Sequence, residues 1–166
     1  MFRRYLMIGV AMLALTACAD KNKGDVDVTM NDGIMASEQD MSGHNGAQPG
    51  TQEDLVVNVG DRVFFATDSS DLNQKSRTTL ENQAAWLQQY PNVNVLVEGH
   101  ADERGTREYN LALGERRANT VKNYLISLGV NPSRISTVSY GKERPAVPGS
   151  DEMAWSQNRR GVTVVQ

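Results

Sequence analysis

Asp102 and Arg117 are the residues of this chain best suited to hold a charged ligand. They lie in the densest run of unusual residues, Val97-Glu98-Gly99-His100-Ala101-Asp102-Glu103-Arg104-Gly105-Thr106-Arg107-Glu108-Tyr109-Asn110, continued by Leu113-Gly114-Glu115-Arg116-Arg117-Ala118-Asn119. Asp102 stands just past the end of a strand pattern, and Gly105 permits a turn into the helix pattern that follows. Strand ends beside helix N-termini are common ligand positions, because unpaired N–H groups and free side chains converge there. At 100° per residue, Arg117 lies about 60° from Gly114 and about 40° from Val121, so it borders the apolar stripe of its helix. Asn110, seven residues earlier, falls on the same side. A partly buried guanidinium needs an anionic partner. Two readings follow for the Asp102–Arg117 pair: an internal salt bridge fastening loop to helix, or two charges facing one ligand.

The other reactive residue types fit structural roles better. His100 has no Cys or second His beside it and reads as a loop-ordering residue rather than a metal ligand or base. Arg159 and Arg160 fit capping or ion pairing better than glycan binding, and Trp86 and Trp155 fit packing better than sugar stacking. Glu103 and Arg104 read as exposed, either on a partner surface or solvated.

The elements that must position these residues follow from periodicity. Val56 to Ala66 is strand-like, with a break at Gly60-Asp61. Residues 73–90 are helical, with Leu80, Ala84 and Leu87 on one face, and Pro91-Asn92 stops the helix. Val93, Val95 and Val97 alternate as a strand. Glu108 to Leu128 is a second long helix with the stripe Leu111, Gly114, Ala118, Val121, Leu125 and Leu128, ended by Gly129. Ile135 to Tyr140 is a third strand, Asp151 to Gln157 a short helix, and Gly161 to Val165 a fourth strand. The order β-α-β-α-β-β predicts an α+β fold of two layers, with the helices on one face of the sheet.

The first residues, MFRRYLMIGVAMLALTAC, pair a basic start (Arg3, Arg4) with an apolar stretch from Tyr5 to Leu15, shorter than the roughly 20 residues of a spanning helix. The segment ends in Leu15-Thr16-Ala17-Cys18, which resembles the bacterial lipobox. That likeness implies cleavage before Cys18 and lipid attachment to it. Ala19 follows, where Asp would favour inner-membrane retention in enteric-type lipoproteins, so outer-membrane sorting is expected. More than one acyl chain makes such an anchor stable, each buried methylene contributing about 0.8 kcal/mol. Residues 19–54 hold no Phe, Trp or Tyr and are rich in Asp, Asn, Gly, Ser and Gln. Such a segment buries too little apolar surface to offset its ordering entropy and reads as a linker, roughly 30 Å long on average and about 120 Å when stretched. His44 lies there as a solvated residue. The expected division is therefore 1–17 signal peptide, 18–54 lipidated Cys and linker, and 55–166 folded domain.

The string Gly-His-Ala-Asp-x-x-Gly-x-x-x-Tyr-Asn-x-x-Leu-Gly-x-x-Arg-Ala, from Gly99 to Ala118, resembles the signature of the OmpA-like peptidoglycan-binding domain. The likeness spans roughly residues 60–165. It includes Val63-Phe64-Phe65 with Asp68 and Asp71, Val138 to Glu143 with Pro145, and Ser156 to Arg160. Glu98 to Gly105 and Leu113 to Asn119 resemble a lipid-anchored branch more closely than generic members, which more often have Thr at the place of Ala101 and Ser at that of Gly114. The resemblance implies a mixed four-stranded sheet of order 1-4-2-3 and binding of meso-diaminopimelate in the peptidoglycan stem. Its binding pair falls on Asp102 and Arg117, with Asp68, Asn110 and Leu113 as further lining residues. Thr67 and Ser70 stand where relatives often have aromatics, so stacking from that loop is not expected. Removing Asp102 or Arg117 is expected to abolish wall binding without unfolding the domain. The resemblance also implies a TolB-like propeller partner competing for an overlapping face.

Composition excludes several classes. The chain has 166 residues, a formal charge of −3, 39% hydrophobic and 22% charged residues. There is no basic field for nucleic acid. The single Cys rules out an intramolecular disulfide and a zinc-thiolate cluster. No Ser stands in a nucleophile elbow. The expectation is therefore a binding module without cofactor or metal. A wall-acting enzyme and an OmpA-like lipoprotein with other partners are the alternatives.

Overall fold

The computed structural model describes residues 46–166; Cys18, His44, the lipobox and most of the expected linker lie outside the described residues. Four strands form one mixed sheet: β1 (Arg62–Phe64), β2 (Val95–His100), β3 (Ile135–Gly141) and β4 (Arg160–Val165). Their order is β1-β4-β2-β3, as the resemblance implies. β4 runs antiparallel to β1 and β2, and β2 runs parallel to β3. The helices are α1 (Gln52–Asp54), α2 (Gln74–Gln89), α3 (Arg107–Ser127) and α4 (Glu152–Asn158). The fold is α+β, as expected from the order of elements.

Alternation in the central strand sets the core. Val95 and Val97 are fully buried beneath the helices, while Leu96 and Glu98 are half-buried on the opposite side. Leu80, Ala84 and Leu87 of α2 and Ala118, Val121 and Leu125 of α3 complete the cluster. Both long helices begin with a side-chain cap: Asn73 accepts from the Ser76 amide and Thr106 from the Tyr109 amide. α2 stops before Pro91, and the guanidinium of Arg134 takes over its end by donating to the carbonyls of Leu87, Tyr90 and Val93.

Three sequence expectations change. Val56 to Val59 is not strand: Leu55–Val59 forms a π-helical turn continuing α1. Leu55 is buried and Val59 packs on the core, whereas Val56 and Val57 are exposed. The helical spacing of Leu55 and Val59 thus overrides the β preference of the branched residues. Order also begins before Leu55. Ala47 and Asp54 are buried, and Asp54 accepts from Trp86 Nε1 at 2.9 Å, so residues 47–54 pack on the domain instead of belonging to a linker. Finally, Leu111 is exposed (49%). The buried face of α3 is turned toward Asn110, Leu113 and Arg117, because Gly114 packs directly on β2.

Candidate functional site

The carboxyl end of β2 and the start of α3 meet across a pair of glycines. A Cβ on Gly99 would fall 1.8 Å from the Gly114 carbonyl oxygen, so no side chain fits at Gly99. This contact places Asp102, three residues beyond Gly99, beside Arg117, three residues beyond Gly114. Between them the chain turns through Gly105, whose φ of +89° favours glycine. Two side chains fasten this turn. Asn110 Nδ2 donates to the Arg104 carbonyl at 2.7 Å, and Lys142 Nζ donates to the carbonyls of Glu103 and Gly105 at 3.1 and 2.7 Å.

A cleft of about 240 Å³ opens here, lined by Thr67, Asp68, Asp102, Arg104, Gly105, Tyr109, Asn110, Leu113 and Arg117. All five expected lining residues, Asp68, Asp102, Asn110, Leu113 and Arg117, therefore surround one space. Asp68 is exposed, accepts a hydrogen bond from the Tyr109 hydroxyl, and adopts a positive φ of 53°, unusual for a residue other than glycine.

The two central charges do not form the internal salt bridge considered above. Arg117 is fully buried and donates to three main-chain carbonyls: Nε to Ser69 (2.9 Å), one terminal nitrogen to His100 (2.7 Å) and the other to Ala66 (3.1 Å). Its guanidinium also lies over the Phe65 ring, 5.2 Å from the centroid. Arg117 thereby ties the Ala66–Ser69 loop to the end of β2. A guanidinium carries five N–H donors, so one N–H on each terminal nitrogen is left beyond these three bonds. Burial lowers the Arg117 pKa to about 10; Asp102 works against this, Arg159 adds to it, and Asp68 again opposes it. Arg117→Ala thus removes a structural tie as well as a charge, and the expectation that it leaves the fold untouched does not suit this geometry.

Asp102 is held by two other arginines. Arg104 donates to Oδ1 from its backbone amide (3.1 Å) and Nε (3.2 Å), and to Oδ2 from a terminal nitrogen (2.7 Å). Arg159 reaches Oδ2 from behind at 3.4 Å. Burial pushes the Asp102 carboxyl up, but the hydrogen bonds and charge of Arg104, aided by Arg159, outweigh it and hold the pKa below the ordinary value. Arg159 also donates to the Phe65 carbonyl and to Glu152, and Arg160 to the carbonyls of Asn158 and Arg144; these are the capping and pairing roles anticipated for them.

Sequence reasoning missed Arg104 and Tyr109 as lining residues. Arg104, read as partner-facing or solvated, folds back onto Asp102, and its guanidinium sits 4.1 Å from the centroid of the Trp155 ring. Trp155 is half-buried and packs on Arg104 outside the core cluster, and Trp86 packs within that cluster. The signal available for Tyr109 was its spacing: it precedes Asn110 on the first turn of α3.

The lining side chains Asp68, Asp102, Arg104 and Arg117 balance two negative against two positive charges. Such a cleft suits a zwitterion better than a simple anion or cation. Among the described residues no helix is long and apolar enough to cross a membrane.

Residues 64–159 match the OmpA family. A peptidoglycan-associated lipoprotein of Mesorhizobium japonicum is 51% identical over 156 residues, covering 94% of this chain and 88% of the relative. The crystal structure of the peptidoglycan-associated lipoprotein from Burkholderia pseudomallei superposes with a TM-score of 0.62 at 42% identity, over 64% of this chain and 90% of that one. The C-terminal domain of Helicobacter pylori MotB superposes with a TM-score of 0.60 at 29% identity, over 64% and 84%. The chain belongs to the OmpA family and, within it, to the branch of the peptidoglycan-associated lipoproteins.

Proposed function

We propose that this chain is an outer-membrane lipoprotein, anchored through Cys18, whose folded domain grips peptidoglycan noncovalently by the meso-diaminopimelate of an uncrosslinked stem. One observation carries the reading: Asp68, Asp102, Arg104 and Arg117 line a single charge-balanced cleft. The free end of diaminopimelate is an amino-acid head with an ammonium and a carboxylate on one carbon. Asp102, with Asp68 near it, accepts from the ammonium. The two N–H groups of Arg117 not taken by backbone form a fork for the carboxylate. Leu113 packs against the methylene stem. Crosslinking turns the amine into an amide and removes the charge that Asp102 needs, so uncrosslinked stems are selected. The names of the relatives support the wall as the ligand, and support binding rather than catalysis. As a member of a Tol–Pal system, the protein would couple the outer membrane to the wall during division and meet a TolB-like propeller partner on an overlapping face.

The test is co-sedimentation of the full-length chain with sacculi, together with Asp102→Asn, which keeps the shape of the side chain and removes its charge. Retention of the native chain and at least tenfold weaker retention of the variant are expected. Equal retention of both overturns the assignment, and clearing of wall substrate in a zymogram would reassign the protein as an enzyme. Failure to capture a TolB-like propeller would leave wall binding intact and remove the Tol–Pal part.

A further inference from the structure

The carboxylate best placed to take the ligand's ammonium is already occupied. Arg104 covers Asp102 with two side-chain hydrogen bonds, at 3.2 Å to Oδ1 and 2.7 Å to Oδ2. The second cation on Asp102 differs in kind. Arg159 is buried (side chain 7% exposed), is fixed by the Phe65 carbonyl and Glu152, and touches Oδ2 only at 3.4 Å. The Arg104 side chain is 39% exposed, and beyond Asp102 its only other hydrogen-bond partner among the described residues is Thr67 Oγ1 at 3.4 Å. Its guanidinium also rests on the Trp155 ring, which is itself held by a bond from Nε1 to Glu103 at 3.1 Å. Arg104 can therefore release Asp102 while keeping its stacking partner.

We propose that Arg104 is an internal competitor: its guanidinium holds the side of Asp102 that the ligand's ammonium would take and must be displaced before a stem binds. The inference rests on the wall-binding reading above and adds a residue that sets affinity and selectivity. A ligand is bound only by the fraction of molecules in which Asp102 is free, so the apparent Kd exceeds the intrinsic one by the inverse of that fraction. A stem with a free ammonium offers Asp102 a replacement for Arg104. A stem whose amine is acylated offers none, and Arg104 stays in place. The competitor thus moderates affinity for the free-amine stem and leaves that for acylated stems unchanged, and it gives the buried Asp102 carboxylate a closer partner than Arg159 supplies.

The experiment is calorimetric titration of the full-length chain in detergent with the tripeptide L-Ala-D-Glu-meso-diaminopimelate, and with the same peptide acetylated on the side-chain amine. Arg104→Ala and Arg104→Lys are compared with the native chain. Arg104→Ala is expected to bind the free-amine peptide about three- to tenfold more tightly, an effect of the size of an exposed ion pair. Arg104→Lys, which keeps a cation, is expected to stay near the native value. The gain is expected to be confined to the free-amine peptide. Unchanged or weaker binding by Arg104→Ala overturns the proposal, by making Arg104 a bystander or a ligand contact. An equal gain for the acetylated peptide also overturns it, by making Arg104 a steric block. A native chain that does not bind the tripeptide overturns the wall-binding reading and this proposal together, whereas native binding without the Arg104→Ala gain overturns this one alone. Should Arg104→Ala unfold, Arg104→Gln carries the same test.

Discussion

Gly99 of β2 lies directly against Gly114 of α3, backbone to backbone, and this contact fixes the spacing of the two charged residues three positions further on. The two glycines are not equivalent. A Cβ at Gly99 meets the Gly114 carbonyl oxygen at 1.8 Å and its carbonyl carbon at 2.6 Å, so strand or helix must move. A Cβ at Gly114 meets the hydroxyl of Ser139 at 2.4 Å and the Gly99 carbonyl oxygen at 2.8 Å; the hydroxyl can turn away by giving up its bond to the Leu111 carbonyl, and the backbone overlap is milder than at Gly99. Gly99→Ala is therefore expected to cost about 3 kcal/mol or more, at the upper end of overpacking effects, and Gly114→Ala about 1–2 kcal/mol. Urea unfolding of the two variants checks the order; equal costs would show that the helix shifts freely over the strand.

Arg117 joins three segments through main-chain carbonyls, so its substitution has a stability signature separate from ligand binding. Arg117→Ala leaves the carbonyls of Ala66, Ser69 and His100 without these donors and opens a cavity beside Phe65. A loss of about 3–5 kcal/mol is expected. Arg117→Lys retains the charge, but one ammonium cannot span three carbonyls in the directions a planar guanidinium does. It is expected to recover less than half of the stability and none of the wall binding. Thermal melts of the two variants beside sacculus co-sedimentation separate the effects.

The strand-turn-helix order from Val97 to Asn119 made Asp102, Asn110 and Arg117 legible, because period alone puts the end of one element beside the start of the next; Leu113 came from the family resemblance. Asp68 came only from the family resemblance, since nothing in its own segment marks a residue with positive φ. The conformation of Arg104 was not legible. A residue two positions after an aspartate can fold back onto it only when the intervening turn has the right shape, and that shape depends on Gly105, Lys142 and Asn110 together. The misread strand at Val56–Val59 has a similar cause: branched residues favour strands by propensity, while here two buried residues in helical register decide. The mixed sheet order was legible from the resemblance and not from the periodicities.

Asp54 shows why the domain starts earlier than composition suggests. Its carboxylate accepts from the Gly50 amide at 2.8 Å, from Asn58 Nδ2 at 2.8 Å and from the buried Trp86 indole at 2.9 Å. Asp54→Ala leaves that indole N–H buried and loosens the α1 turn from the core. A cost of about 2–4 kcal/mol is expected, from a lost charged hydrogen bond and an unmet donor. A chain beginning at residue 55 is expected to lose at least as much. Unfolding of the two proteins beside the intact one gives the measurement, and a truncated chain as stable as the intact one would return residues 46–54 to the linker.

His100 gives the domain a stability that depends on mild acid. The side chain is buried at the end of β2, 5.6 Å from the Tyr140 ring between centroids, with Nε2 3.4 Å from Glu98. Burial, and then the cations Arg160 and Arg144, lower its pKa from 6.5 to about 4. Below its ordinary pKa the unfolded chain takes up a proton that the folded one refuses. The contribution of a neutral His100 is therefore complete above about pH 6.5, declines as pH falls toward 4, and stays lost below that. A decline on the order of 2 kcal/mol across this window is expected. His100→Asn, which cannot be protonated, is expected to be less stable at pH 7, because it fills the site poorly, but to follow a flatter course between pH 6.5 and 4. Glu98 remains in both proteins, so the difference between their urea midpoints against pH isolates the imidazole. Parallel curves would mean that the histidine titrates alike in the folded and unfolded chains.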